Sequence, residues 1–299
     1  MGDAGYNWRW PLICGRIRHV ICQNVIRNSI RESNTAMKQL IDLKGRRALV
    51  TGGGRGIGRA IALAIADAGA DVAVASRSMH ELEAVAGEIQ DRGARGFAIL
   101  MDAMNREAIA NGVNEAAGKL RGLDVLVNNA GGIITNHPAK LDPLDHDGQV
   151  FEDNLFLNLT QAFYATKAAL PYMIKQKWGR IINIGSGYAK NGGGSLAYSA
   201  AKHGLVGFTR SLAYSAAAHG INVNVLCPGW TNTKLVDWNV LGMMMGVSAS
   251  EARRIAESQN IQKRIVEPEE LGAMAAMLAS DAAGAVTGQV ISVDGGFMV

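Results

Sequence analysis

Of the six tyrosines, Tyr198 alone is followed four residues later by a lysine, Lys202. Positions i and i+4 share one face of a helix, so this spacing sets an ammonium beside a phenol. A neighbouring cation favours the phenolate and draws the phenol pKa from about 10 toward neutrality, where it can give a proton to a carbonyl oxygen or take one from an alcohol. A second chemical element is Thr51-Gly52-Gly53-Gly54-Arg55-Gly56-Ile57-Gly58. Its glycines permit close backbone approach, and bare amides at the start of a following helix attract a pyrophosphate. A triphosphate-hydrolysing loop needs Gly-x4-Gly-Lys-Ser/Thr, whereas Gly53 to Gly58 runs on into Arg59-Ala60, which argues against a kinase or ATPase. Taken alone, each element has a plainer reading: an ordinary amphipathic helix for the pair, and a ligand-free tight turn for the loop.

The elements that must position these residues repeat. Leu43 to Val50 leads into the glycine loop, and Ile57 to Gly69 reads as an Ala-rich helix. Apolar strands over 71–75, 97–101, 125–127, 180–184, 222–226 and 289–293 alternate with helical periods over 80–92, 106–120, 150–176, 197–219 and 268–279. Continuous apolar strands between helices predict one parallel sheet covered on both faces: an α/β, doubly wound, Rossmann-like single domain. Ligands bind such sheets beyond the carboxyl ends of the strands. Gly52 onward, Arg77, Asp102, Asn128, Ser186 and Pro228 should therefore meet on one rim.

Composition limits the function classes. With 48% apolar and 19% charged residues in 299, the chain can bury a large core, and no apolar run reaches the length of a membrane span. Three of the four net positive charges lie in residues 1–36, where Arg9, Arg16, Arg18, Arg27 and Arg31 outnumber Asp3 and Glu32. The nearly neutral remainder lacks a nucleic-acid footprint. Cys14, Cys22 and Cys227 show no zinc spacing and cannot all pair, and the six histidines are scattered; a metal site is not expected and a reducing, cytoplasmic setting is. Residues 1–36 read as a disordered extension, with a targeting presequence as the other reading, and the catalytic domain as 37–299.

Read in order, Thr51 to Gly58, Asn128-Asn129-Ala130-Gly131, Asn158, Ser186, Tyr198-x3-Lys202 and Pro228-Gly229 resemble the short-chain dehydrogenase/reductase family over about residues 43–296. The resemblance implies a catalytic tetrad of Asn158, Ser186, Tyr198 and Lys202. In it Tyr198 is the general acid or base, Ser186 bonds the substrate oxygen, Lys202 lowers the Tyr198 pKa and binds the nicotinamide ribose, and Asn158 holds a relay water; Asn154 is the rival if the register differs. It also places Gly52, Gly54, Gly56, Ile57, Gly58, Asn129 and Ala130 against the cofactor, Asp102 and Ala103 beside the adenine, and Pro228, Gly229, Thr231 and Thr233 over the nicotinamide. By the same resemblance, the helices over 150–176 and 197–219 build a homotetramer; from the sequence alone they could equally cover the sheet.

An NAD site of this kind usually ends its second strand in an acid. Ser76 stands there, Arg77 follows, and Arg55 lies in the loop, so two guanidiniums could hold a ribose 2′-phosphate and the expected cofactor is NADP(H). Residues 233–264, with Leu235, Val236, Trp238, Leu241 and Met243-Met244-Met245, read as a helical lid, or as a surface packed on the body or a neighbour. Tyr188, His137 and Trp230 are candidates for the pocket wall. Within the family the wording resembles 3-oxoacyl-(acyl carrier protein) reductase and 3-hydroxybutyrate dehydrogenase. The latter's carboxylate anchors fall on Ile133, Tyr188 and Ser195, which makes a small-molecule ketone or 3-oxoacyl thioester the expected substrate. A cofactor-binding sensor without turnover is the competing class.

Overall fold

The computed structural model describes residues 41–134 and 146–298; the extension 1–36, the domain start at Met37, Cys14, Cys22 and His137 lie outside them. Seven strands, β1 (Arg47–Thr51), β2 (Asp71–Ser76), β3 (Gly96–Leu100), β4 (Val125–Asn128), β5 (Gly179–Ile184), β6 (Ile221–Pro228) and β7 (Val290–Val293), form a parallel sheet in the order β3-β2-β1-β4-β5-β6-β7. The helices are α1 (Gly56–Asp67), α2 (Met79–Gln90), α3 (Arg106–Leu120), α4 (Gly148–Leu155), α5 (Gln161–Gln176), α6 (Leu196–Ala216), α7 (Trp238–Met245), α8 (Ala249–Ser258) and α9 (Pro268–Ala279). Among the described residues no helix is long and apolar enough to cross a membrane.

The sheet is the doubly wound one that the apolar strands predict. Every residue of β4 and β5 is buried, because helices cover both faces. One core joins the sheet to α1, α2 and α9 through Ile61, Ile65, Leu82, Ile89 and Leu271; the other joins it to α3, α5 and α6 through Ile109, Val113, Ala165, Met173 and Ala213. Each fully buried Ile or Leu contributes about 1.5–3 kcal/mol. Small residues bring α1 and α9 close: a Cβ on Gly272 would lie 2.8 Å from the Ala60 carbonyl oxygen. Strand order reverses between β1 and β4, and the crevice there receives the ends of both strands.

The expected single helix over 150–176 is not continuous. Between α4 and α5 lies a π-helical turn, Phe156–Thr160, whose wider winding turns Asn158 inward until it is buried. A 3.6-residue period cannot register that extra residue. Beneath the crevice, Asn128 Nδ2 donates to Thr166 Oγ1 (3.1 Å) and Asn183 Oδ1 (2.8 Å), and Asn183 Nδ2 donates to Thr209 Oγ1 (2.9 Å). This buried polar chain ties β4 and β5 to α5 and α6, so the rim above it is held from below. Asn128 is thus spent on scaffold rather than on the rim itself.

Candidate active site

The glycine loop is held by its neighbours. Thr51 Oγ1 accepts from the amides of Asn129 and Ala130 (3.0 Å each), while Asn129 Nδ2 donates to the carbonyls of Thr51 (3.0 Å) and Gly52 (3.1 Å). The Asn129 side chain therefore acts by bracing the loop. Gly52 and Gly56 have φ of +64° and +54°, values that favour glycine. A Cβ on Gly58 would lie 2.3 Å from the Gly52 oxygen and 2.5 Å from Asn129 Nδ2. No side chain caps the N-terminus of α1, where Arg55 is the capping residue, so its first amides are left for an anion, with Ile57 just inside the helix. Uncapped amides behind a loop with no room for side chains fit the pyrophosphate of a dinucleotide.

Across the crevice, the methyl of Thr233 comes within 3.3 Å of where a Gly56 Cβ would stand, so the loop after β6 meets the glycine loop. Pro228 is the last residue of β6, in register with Val293 of β7. Gly229 packs so closely on Asp294 that a Cβ would approach its carbonyl oxygen to 2.8 Å. Thr231 is buried, its hydroxyl turned to the Gly229 carbonyl (3.0 Å).

The ends of β5 and β6 and the first turns of α6 bring the proposed acid–base groups together. Ser186 lies two residues beyond the end of β5; its hydroxyl accepts from the Tyr188 amide (3.2 Å) and neighbours the Tyr198 phenol. Lys202 is buried, with Nζ donating to the Ile184 carbonyl (2.8 Å) and lying 5.5 Å from the centre of the Tyr198 ring. Asn158 Nδ2 donates to Gly132 O (2.8 Å) and Asn154 O (3.1 Å), and its Oδ1 accepts from Gly132 N (3.1 Å). Around Gly131 the two meet: a Cβ there would lie 2.9 Å from Asn158 Oδ1 and 3.5 Å from Lys202 Nζ. Asn154, one turn earlier, instead pins Ile134 through both its backbone groups. Asn158 is therefore the asparagine beside the lysine.

The electrostatics differ from the expected pairing. Burial pushes the Tyr198 phenol up to about 12, opposed by the Ser186 hydroxyl, and Lys202 is not among the groups that move it. Burial also drives the Lys202 ammonium down to about 8. The lysine sits over the ring rather than at the oxygen, so desolvation outweighs the cation's pull. Cys227, buried at the end of β6, has its thiol pushed up by burial while the Ser186 amide donates to it.

At the other end of the crevice, Ser76 closes β2 and its Oγ accepts from the Ser78 amide (3.3 Å). Arg77 is exposed and forms no ion pair among the described residues. Arg55, 67% exposed at its side chain, lies 3.6 Å from Glu81 in the first turn of α2. Asp102 is exposed beyond β3, its carboxylate accepting from the Met104 amide (2.9 Å), with Ala103 beside it. Among the described residues no group of three or more His, Cys, Asp or Glu could hold a metal ion.

Comparison with known proteins decides the lineage. The sequence profile of the short chain dehydrogenases matches residues 46–240. The chain belongs to the short-chain dehydrogenase family. It is 37% identical over 258 residues to a 3-oxoacyl-(acyl-carrier-protein) reductase of Aquifex aeolicus, covering 86% of this chain and 98% of that one. It is equally 37% identical, over 264 residues, to a D-beta-hydroxybutyrate dehydrogenase of Cupriavidus necator, with 86% and 99% coverage. The crystal structure of a short-chain type dehydrogenase/reductase from Mycobacterium marinum superposes with a TM-score of 0.77 at 33% identity, over 86% of this chain and 97% of the other. The protein is accordingly a short-chain dehydrogenase/reductase, an oxidoreductase of the CH–OH/C=O pair that uses a nicotinamide cofactor.

Within this short-chain dehydrogenase, several residues near the site escaped the sequence reading. Lys190 donates to Ser292 in β7 and to buried Asp294 just after it (3.1 Å), clamping the turn after Ser186 to the end of β7. Phe297, on that same segment, meets Tyr188 edge-on (5.6 Å between centroids) and leaves no room for a side chain at Gly187. The backbone of Gly193 and Gly194 covers the Tyr188 ring from another side. The signal was present in the run Val293-Asp294-Gly295-Gly296, which reads as a turn but faces a lysine about a hundred residues away. The 233–264 segment forms α7 and α8, with Trp230 Nε1 bonded to Gln259 Oε1 (2.7 Å) and Trp230 6.0 Å from Trp238. Met243 is 81% exposed, and Met244 and Met245 are each partly exposed.

Proposed function

We propose that the protein is an NADP(H)-dependent oxidoreductase that interconverts a ketone and a secondary alcohol, with a 3-oxoacyl thioester as the leading specific substrate and a general carbonyl as the broader one. The observation that carries the chemistry is the Ser186 hydroxyl beside the Tyr198 phenol, with buried Lys202 over the ring. The cofactor, when bound, supplies or accepts the hydride. Its pyrophosphate would be held by Gly52, Gly54, Gly56, Ile57 and Gly58, its adenosine by Ser76, Arg77, Arg55, Asp102 and Ala103, and its nicotinamide ribose and ring by Ala130, Tyr198, Lys202, Pro228, Gly229, Thr231 and Thr233, with Asn129 fixing the loop.

Tyr198 gives its proton to the carbonyl oxygen as that oxygen gains charge, and takes it back in the reverse direction. A phenol held near 12 is fully protonated at neutral pH, which favours reduction. Ser186 orients the same oxygen through a hydrogen bond and stabilises the developing charge. Lys202 keeps positive charge beneath the ring, and Asn158 secures Gly132 at the crevice wall. For a carboxylate-bearing substrate such as 3-hydroxybutyrate, Ile133, Tyr188 and Ser195 offer no cation. The Tyr188 ring held by Phe297 instead provides a wall suited to an uncharged chain.

Two further features support the setting. Phe163, Leu196 and Tyr214 on α5 and α6 are exposed, Tyr214 to 91%, which supports association of copies into a homotetramer. The buried, unpaired Cys227 suits a reducing, cytoplasmic environment. The deciding assay follows absorbance as purified protein oxidises NADPH with an acetoacetyl thioester, run beside NADH and an aryl ketone. Preference for NADPH with the thioester is the expected result. Turnover of the ketone alone would remove the thioester, and preference for NADH would remove the arginine argument.

A further inference from the structure

We propose that Glu81 sets the cofactor preference by competing with the ribose 2′-phosphate for Arg55, so that this chain holds its NADP(H) selectivity well below what two arginines would otherwise confer. The inference rests on the reading that Arg55 and Arg77 recognise that phosphate.

At the end of β2 itself nothing repels a phosphate, since Ser76 and Arg77 stand where an acid would otherwise be. The fold restores a carboxylate from elsewhere. Glu81, in the first turn of α2, packs against Gly54: a Cβ on that glycine would lie 3.1 Å from Glu81 Cβ, 3.5 Å from its Oε2 and 3.4 Å from Ser76 Oγ. The acid, the serine and the glycine loop thus share one corner, and Glu81, Arg55 and His80 line a cavity of about 440 Å³ that opens from it.

Among the described residues the pairing of Arg55 with Glu81 is unlike the other Arg–Glu pairs. Arg59, one turn along α1, makes two hydrogen bonds to Glu88, one of them 2.9 Å long, and Arg264 bonds Glu270 through both nitrogens at 2.5 and 2.8 Å. Arg55 approaches Glu81 only to 3.6 Å and makes no hydrogen bond with it. Geometry of that kind gives little stability at an exposed site, and it leaves the guanidinium's donors free for a better acceptor. A dianionic phosphate arriving at Arg55 would meet the Glu81 charge in the same corner, whereas an unphosphorylated ribose brings no charge for it to repel. Helix α2 would place an acid at this third position for its own sake, because negative charge there complements the helix dipole. That structural role predicts lost stability in a variant and no change in ligand discrimination.

The two are separated by titration calorimetry of adenosine 2′,5′-bisphosphate and adenosine 5′-monophosphate against wild type, Glu81→Gln, Glu81→Ala and Arg55→Ala, with the melting temperature of each recorded. Both Glu81 variants should tighten the bisphosphate about 5- to 20-fold while the monophosphate stays within about twofold, and the gain should shrink as salt rises. Unchanged affinity for both probes in the Glu81 variants, with the bisphosphate weakened in Arg55→Ala, would overturn the role of Glu81 and leave the arginine reading intact. Equal affinity of wild type for the two probes, unaltered by Arg55→Ala, would remove the arginine reading and this inference with it. A tenfold loss of the monophosphate in both Glu81 variants would make Glu81 a ribose-holding acid and overturn the proposal from the other side.

Discussion

The two ends of the crevice are built on opposite physical terms. At the Ser186–Tyr198–Lys202 end Lys202 is buried and Ser186 and Tyr198 are half-buried, a backbone carbonyl and a hydrogen-bonded polar chain below support them, and burial moves the proton affinities of Tyr198 and Lys202. At the Arg55–Arg77–Glu81 end the charges are exposed, loosely paired and screened by solvent. The first arrangement changes with difficulty, because moving one group disturbs packing on several elements. The second can be retuned by one surface substitution without touching the core. A common chemistry can therefore persist while cofactor choice varies.

The sharpest way to break this contrast is Tyr198→Phe, which keeps the ring and removes the hydroxyl that carries the proton. Turnover should fall by about 10³-fold, within the range expected for loss of a general acid, while the cofactor dissociation constant measured by fluorescence stays within about twofold. Retained turnover would take Tyr198 out of the proton path; lost cofactor binding would show that the two ends are not separable. The sensor reading requires that wild type already lack turnover.

The pH dependence probes the same buried end. With Lys202 near 8 and Tyr198 near 12, the ammonium is charged and the phenol protonated below pH 8. The rate of ketone reduction should be flat below that value and fall about tenfold per pH unit above it as Lys202 loses its proton, whereas alcohol oxidation should gain as the pH approaches the phenol's range. A reduction rate level to pH 10 would remove the lysine charge from the mechanism.

A smaller effect is expected at the exposed end. The double variant Arg55→Ala/Arg77→Ala should weaken NADPH by about 10- to 30-fold, leave NADH within about threefold, and show a shallower dependence of NADPH binding on salt. Comparable losses for both cofactors would mean that the arginines hold the pyrophosphate or the loop.

The smallest effect concerns what supports the buried end. Burial alone would raise the Asp294 carboxyl, but Lys190 and the amides of Gly296 and Phe297 hold it below its ordinary range. Lys190→Met strands that carboxylate and should destabilise the protein by about 1–3 kcal/mol in urea unfolding at pH 7. The penalty should shrink as pH falls through the wild-type Asp294 pKa, because the carboxylate whose partner is lost is then neutral in either protein. A pH-independent change would show that the Lys190 stem rather than its charge matters.

Much of the fold was legible because its signal is local and periodic. Apolar strands between Ala-rich helices, a glycine loop at a strand-to-helix switch, and Tyr198 and Lys202 one turn apart are patterns within a few residues of each other. The break in the helix over 150–176 was not legible, since a π turn adds one residue without altering composition. Neither was the work of Asn129 or Asn128, whose type suited a ligand but whose hydrogen bonds go to the scaffold. The expected pull of Lys202 on Tyr198 follows from spacing along one helix face, which does not give the depth of the pair: Lys202 is buried with Nζ 5.5 Å from the ring centre, and burial pushes the phenol up.

By itself, the sequence determined the class of fold, the family and the kinds of group available for proton transfer, because these depend on periodicity and on short spacings that the backbone enforces. Only the tertiary structure decided which asparagine stands beside Lys202, that Phe297 and Asp294 close on the turn after Ser186, and that Glu81 answers Arg55. Those pairings join residues from 26 to more than a hundred positions apart. Contacts at such separations arise from how the layers pack, and no local pattern encodes them.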